Sequence, residues 1–179
     1  MSTRTLALMV LVGFGLWIAG MPRSFDTSGL GGLAATDFSA TLIGTSAVIG
    51  LAIAASAYVT IGLRQGRKLA FVAGAVLFIA SASLAFALLA PLAANAALVA
   101  MAIAAAALAI EGRGRVRIDL IGSAIACVLM AVALGGPDAA PMPALLDTSG
   151  TVAGLLWLIA AAQELGSIQV ESNRTHSPV

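Results

Sequence analysis

The sequence predicts an all-α fold, a polytopic transmembrane helical bundle of six spans with the N-terminus and the C-terminus both cytoplasmic. Three observations predict it. Of 179 residues, 60% are hydrophobic and only 9% are charged, against about a quarter charged in a soluble domain. Polar side chains are too few to cover a surface in water, and the mean hydropathy is +1.05. Second, apolar runs of about eighteen residues or more recur without a charge, which is the length a helix needs to cross hydrocarbon. Third, the basic residues are gathered into short turns between those runs. A transmembrane barrel would show short segments alternating apolar and polar, and these runs are apolar on every face.

The elements follow in order along a single membrane domain, 1–179. Met1 to Arg4 lead into an apolar segment, 5–21, with Trp17 near its far end. One arginine before a hydrophobic stretch also fits a secretory signal peptide. The run ends Ala19-Gly20-Met21-Pro22, a poor small-x-small cleavage site, so a retained first span is favoured. Residues 22–39 are a loop rich in Gly, Ser and Thr, and Asp37 or Ser39 can cap the helix that follows. The second span is 40–62. It ends at the basic turn Gly62-Leu63-Arg64-Gln65-Gly66-Arg67-Lys68, which divides an apolar run that meets no further charge until Glu111. Three cations within five residues do not sit in hydrocarbon, so this turn marks a membrane surface.

The third span is 69–90, broken at Pro91. The fourth, 93–110, is alanine-rich and holds one polar residue, Asn95. It is about eighteen residues long, roughly 27 Å as a helix, enough for a thin hydrocarbon layer. A tight hairpin around Pro91 to Asn95 joins the two. A second basic turn runs from Glu111 to Asp119 with Arg113, Arg115 and Arg117. The fifth span is 120–134, closed by Gly135-Gly136-Pro137-Asp138. A short sixth span, 151–165, precedes a polar tail, 166–179.

Orientation follows from the asymmetry of Lys and Arg. With six spans and the N-terminus inside, Arg4, Arg64, Arg67, Lys68, Arg113, Arg115, Arg117 and Arg174 are cytoplasmic and only Arg23 is outside. The two basic turns share a side only if two spans separate them, so the charges support the Pro91 hairpin independently of hydropathy. Asp-Thr-Ser-Gly occurs twice, at 26–29 and 147–150, both in outer loops. No further matches accompany it at that offset, and two similar loop-and-cap solutions account for it.

Chemistry has little to work with. Metal and haem sites need several His, Cys, Asp or Glu side chains converging, and the chain has one Cys, Cys127, and one His, His176, with no acid in the middle of a span. No metal, cofactor or catalytic residues are therefore expected. Phosphate-loop and hydrolase motifs are absent. A net charge of +1 gives nucleic-acid binding no support.

The polar or interfacial candidates are few. Glu164 and Gln163 lie near the inner end of the sixth span, Asp119 sits at the start of the fifth where the helix dipole favours a carboxylate, and Asn95 can cap the fourth helix or hydrogen-bond across the bundle. Arg64, Arg67, Lys68, Arg113, Arg115 and Arg117 should face the anionic headgroups of the inner leaflet. Trp17, Tyr58 and Trp157 are candidates for interfacial anchors.

Small residues recur at helical spacing, as in Ser46, Gly50 and Ala54, in Gly122 and Ala126, and in Gly13 and Gly20. In lipid, helices associate through such residues, because hydrocarbon removes the hydrophobic drive between them. These features favour a small multi-pass protein of the cell membrane (inner or plasma), non-enzymatic, that packs with itself or a larger membrane complex as an accessory subunit. The alternative is a transporter or channel for a small, weakly charged solute, with a polar path through Ser46, Thr60, Ser81, Ser83, Asn95, Ser123 and Gln163.

Overall fold

A computed structural model describes residues 2–24, 38–87, 92–135 and 151–163. They form six helices: α1 Thr3–Ser24, α2 Phe38–Gln65, α3 Lys68–Ala87, α4 Leu92–Glu111, α5 Arg115–Gly135 and a shorter α6, Thr151–Gln163. In each of α1 to α4 a stretch is long and apolar enough to cross a membrane. The chain thus has the transmembrane, all-helical character of a multi-pass protein. α5 opens with Arg115, Arg117 and Asp119, so its apolar stretch begins only at Leu120. The thirteen residues of α6 reach roughly 20 Å.

The ends of the helices have local causes. Ser2 precedes α1 and accepts the Thr5 amide on Oγ at 3.2 Å, satisfying one of the donors that a helix start leaves unpaired. α2 stops at Gln65 because Gly66 takes φ +67°, and α5 starts directly after Gly114 at φ +59°. A left-handed backbone is cheap only for glycine, so the two glycines set where the chain reverses. Pro91, the break that the sequence predicts after the third span, lies outside the described residues.

The order of packing follows the chain, each helix lying against the next. α6 then closes the bundle. Ser123 on α5 donates to the Ala153 carbonyl at 2.9 Å, and the Phe14 ring of α1 stacks on Trp157 with centroids 4.2 Å apart. Neighbours run antiparallel: Gly13 meets Gly50, while Ser46, earlier on α2, reaches the Leu16 carbonyl. Arg67 at the start of α3 pairs with Glu111 at the end of α4 at 2.8 Å. Both basic turns therefore lie at one end of the bundle, as the charge pattern anticipated.

Among the described residues alanine supplies more than half of the buried apolar side chains, including Ala54, Ala55, Ala73, Ala80, Ala104 and Ala105. The large branched and aromatic side chains Ile79, Phe86, Ile103, Ile110, Ile125 and Val132 point outward. That is the distribution bilayer solvation permits, since the outer surface is solvated by hydrocarbon and the inner one is set by how closely backbones approach.

The aromatic anchors require a correction. Trp17, Tyr58 and Trp157 are 1%, 4% and 0% exposed and belong to the core, not to a belt at the membrane surface. An alanine-lined interior of six helices leaves gaps that only large rings fill. The polar edges are satisfied there as well, because Trp157 Nε1 donates to the Tyr58 hydroxyl at 3.2 Å.

Candidate functional site

The polar groups of the bundle collect in two places, at its basic end and along the helix contacts. At the basic end, Glu111 terminates α4 and divides its carboxylate between two donors. Oε2 accepts from Arg67 Nε at 2.8 Å, and Oε1 accepts from the Leu69 amide at 3.1 Å. The second bond fills one of the vacant donor positions at the start of α3, so α4 caps α3 from outside its own chain segment. Both side chains are partly screened from solvent, 32% exposed for Arg67 and 21% for Glu111.

On the other side of that end, Gln163 Nε2 donates to Asp119 Oδ2 at 3.1 Å and ties the end of α6 to the second turn of α5. Two of the polar candidates thus meet each other. Arg113, Arg115, Arg117 and Lys68 lie exposed around the same end, as does Arg64. Glu164 lies outside the described residues, as do Asp37, the polar tail and both Asp-Thr-Ser-Gly words. Asn95 sits one turn inside α4 and not in a hairpin. Its Oδ1 is buried with no hydrogen-bond partner among the described residues.

Ser46, Ser56, Thr60, Ser81 and Ser123 spend their hydroxyls on backbone carbonyls. Ser81 donates to the Val48 carbonyl at 2.9 Å, Ser123 to Ala153 and Ser46 to Leu16 at 3.4 Å, each joining two neighbouring helices. Ser56 and Thr60 return their protons to the carbonyls of Ala52 and Ser56 in their own helix, at 2.8 Å each. Such bonds satisfy a polar side chain in an apolar setting without opening a path through it. Cys127 is fully buried in α5. Among the described residues no three His, Cys, Asp or Glu side chains come together.

Glu111 is the polar contact that sequence reasoning passed over. Read along the chain it is one member of a basic turn. The signal was available: it is the first acid after Asp37, placed where an opposite charge is needed by the other turn. Comparison of the chain with protein-family models, with curated proteins and with solved structures gave no match.

Proposed function

We propose that this protein is a packing or accessory subunit of a membrane complex, crossing a cell membrane six times with both termini cytoplasmic. The observation that carries the reading is the use of the span hydroxyls: Ser46, Ser81 and Ser123 bond to backbone carbonyls of adjacent helices. Side chains spent on holding helices together favour a packing role over solute passage. The orientation rests on the positive-inside asymmetry, supported by the pairing of the two basic turns through Arg67 and Glu111. A retained first span is supported by Phe14 and Trp17, which fill the core beside Trp157.

The test is purification of the tagged full chain in mild detergent, followed by mass spectrometry of what accompanies it. A stoichiometric membrane partner is the expected result. Migration as a bare monomer with no companion protein sinks the accessory role.

The transporter reading keeps one observation in its favour, the buried Oδ1 of Asn95. An unpaired buried acceptor costs about 1–3 kcal/mol, and a solute with a donor group would relieve that cost. If Asn95 is a structural residue only, Asn95→Leu stabilises the purified bundle and leaves cell growth unchanged. A stabilised variant that impairs growth speaks for the solute.

A further inference from the structure

The basic end combines features that positive-inside topology alone does not call for. Glu111 holds the start of α3 and the end of α4 together through Arg67 and the Leu69 amide. Lys68 precedes Leu69 in the chain, and Arg113 follows Glu111 by two residues, so both are held close to this joint. Arg117 is drawn in as well, since a Cβ on Gly112 would stand 3.3 Å from its backbone.

Lys68, Arg113, Arg115 and Arg117 are all exposed, and none has a carboxylate partner among the described residues. The nearby carboxylate of Glu111 is already engaged with Arg67, and that of Asp119 accepts from Gln163 on the side facing α6. Among the described residues, four cations therefore stand around this end with no carboxylate partner.

The surface directly below them is apolar and outward-facing. On α5, Arg115 heads the helical stripe Ile118, Ile121, Ile125, Leu129 and Val132, in which successive members are three or four residues apart and share a face. On α4, Ile110 is 71% exposed just before Arg113, and on α5 Ile118 is 68% exposed just after Arg117. On α3, Lys68 heads Phe71 and Val72.

We propose that this end of the bundle, where α3 and α5 each pack against α4, seats one anionic phospholipid. Lys68, Arg113, Arg115 and Arg117 bind its phosphate, and the exposed stripes of α4 and α5 take its acyl chains. A soluble anion would engage the cations alone, whereas a lipid engages the cations with its phosphate and lays its chains along Ile110 and Ile118. Basic seams between spans are suited to acidic headgroups, and each cation near the surface adds to the attraction. The inference rests on the reading of the chain as a membrane protein and is independent of the accessory role.

The full chain in mild detergent, titrated with phosphatidylcholine or phosphatidylglycerol of identical chains and observed by native mass spectrometry, tests it. One phosphatidylglycerol is retained and phosphatidylcholine is not. The double substitution R115Q/R117Q weakens retention at least tenfold, about 1.4 kcal/mol. R4Q, a cation at the same end on α1, changes it less than twofold. If R115Q/R117Q lowers the helical content, K68Q/R113Q carries the same expectation.

Equal retention of both lipids overturns the proposal, as does an equal loss in R4Q, which would leave only diffuse surface charge. Displacement of the lipid by an equal concentration of inorganic phosphate overturns it too, because the chains would then contribute nothing. A companion protein found without retained lipid leaves the accessory role standing and removes the lipid seat. Retained lipid on a bare monomer does the reverse.

Discussion

At the scale of single residues, the hydroxyl side chains divide by where their proton goes. Ser123 is fully buried and donates across a helix contact to Ala153. Ser56 donates to Ala52 within its own helix. Removing Ser123 Oγ removes a hydrogen bond between α5 and α6 at the contact that closes the bundle, while the Ala153 carbonyl keeps its bond within α6. Removing Ser56 Oγ leaves Ala52 with its ordinary backbone bond. Ser123→Ala should therefore lower the unfolding free energy in mixed micelles by about 0.5–1.5 kcal/mol, and Ser56→Ala by close to zero. Equal losses would show that helix-to-helix hydrogen bonds are not what the hydroxyls supply. Glu111 is the other residue with a distinct role, because it both pairs with Arg67 and caps α3. Glu111→Ala removes both interactions and should cost about 1–2 kcal/mol. Glu111→Gln keeps an oxygen for the Leu69 amide and should cost less than half as much. If the two variants lose the same stability, the cap contributes nothing and the charge is the whole effect.

At the scale of helices, association depends on how closely backbones approach. A Cβ added at Gly13 would stand 2.6 Å from the Gly50 carbonyl oxygen, and one at Gly50 would strike the Gly13 carbonyl in return. The obstacle is backbone, which no side-chain rotation relieves. Gly15, two residues from Gly13, has nothing within 4 Å of such a Cβ. Gly50→Ala should therefore destabilise by about 1–3 kcal/mol through overpacking. Gly15→Ala should be neutral or stabilising by up to about 1 kcal/mol, from helix propensity. Thermal midpoints in one detergent decide it, and a tolerated Gly50→Ala would mean that α1 and α2 cross less tightly. This crossing was legible in the spacing of Ser46, Gly50 and Ala54, because a face of small residues is a periodic signal. The helices were legible for a similar reason, since hydrocarbon thickness and basic breaks both act along one dimension. Two things were not. Glu111 and Arg67 are forty-four residues apart, and nothing in either turn alone names its partner. Core and belt aromatics have the same composition, so the burial of Trp17, Tyr58 and Trp157 depends on how large an interior six alanine-rich helices enclose.

At the scale of the whole molecule, charge separates the two ends. Every lysine and arginine among the described residues lies at the end of the two basic turns except Arg23, in the last turn of α1. The pairing of Arg67 with Glu111 places the turns on a common side of any membrane the bundle occupies, and the positive-inside rule predicts that this side is cytoplasmic. These are separable claims, and single cysteines distinguish them. Gly66 and Gly114 are poor labelling positions because both hold a left-handed backbone, whereas Gln65 and Arg113 are exposed beside them. The natural Cys127 is fully buried and is replaced by alanine to clear the background. With a membrane-impermeant maleimide, Gln65→Cys and Arg113→Cys should label only after the cells are opened, and Ser28→Cys should label in intact cells. Labelling of both turns from outside reverses the orientation and leaves the bundle intact. Labelling of one turn without the other breaks the antiparallel pairing of α3 and α4, and with it the shared basic end on which the lipid seat depends.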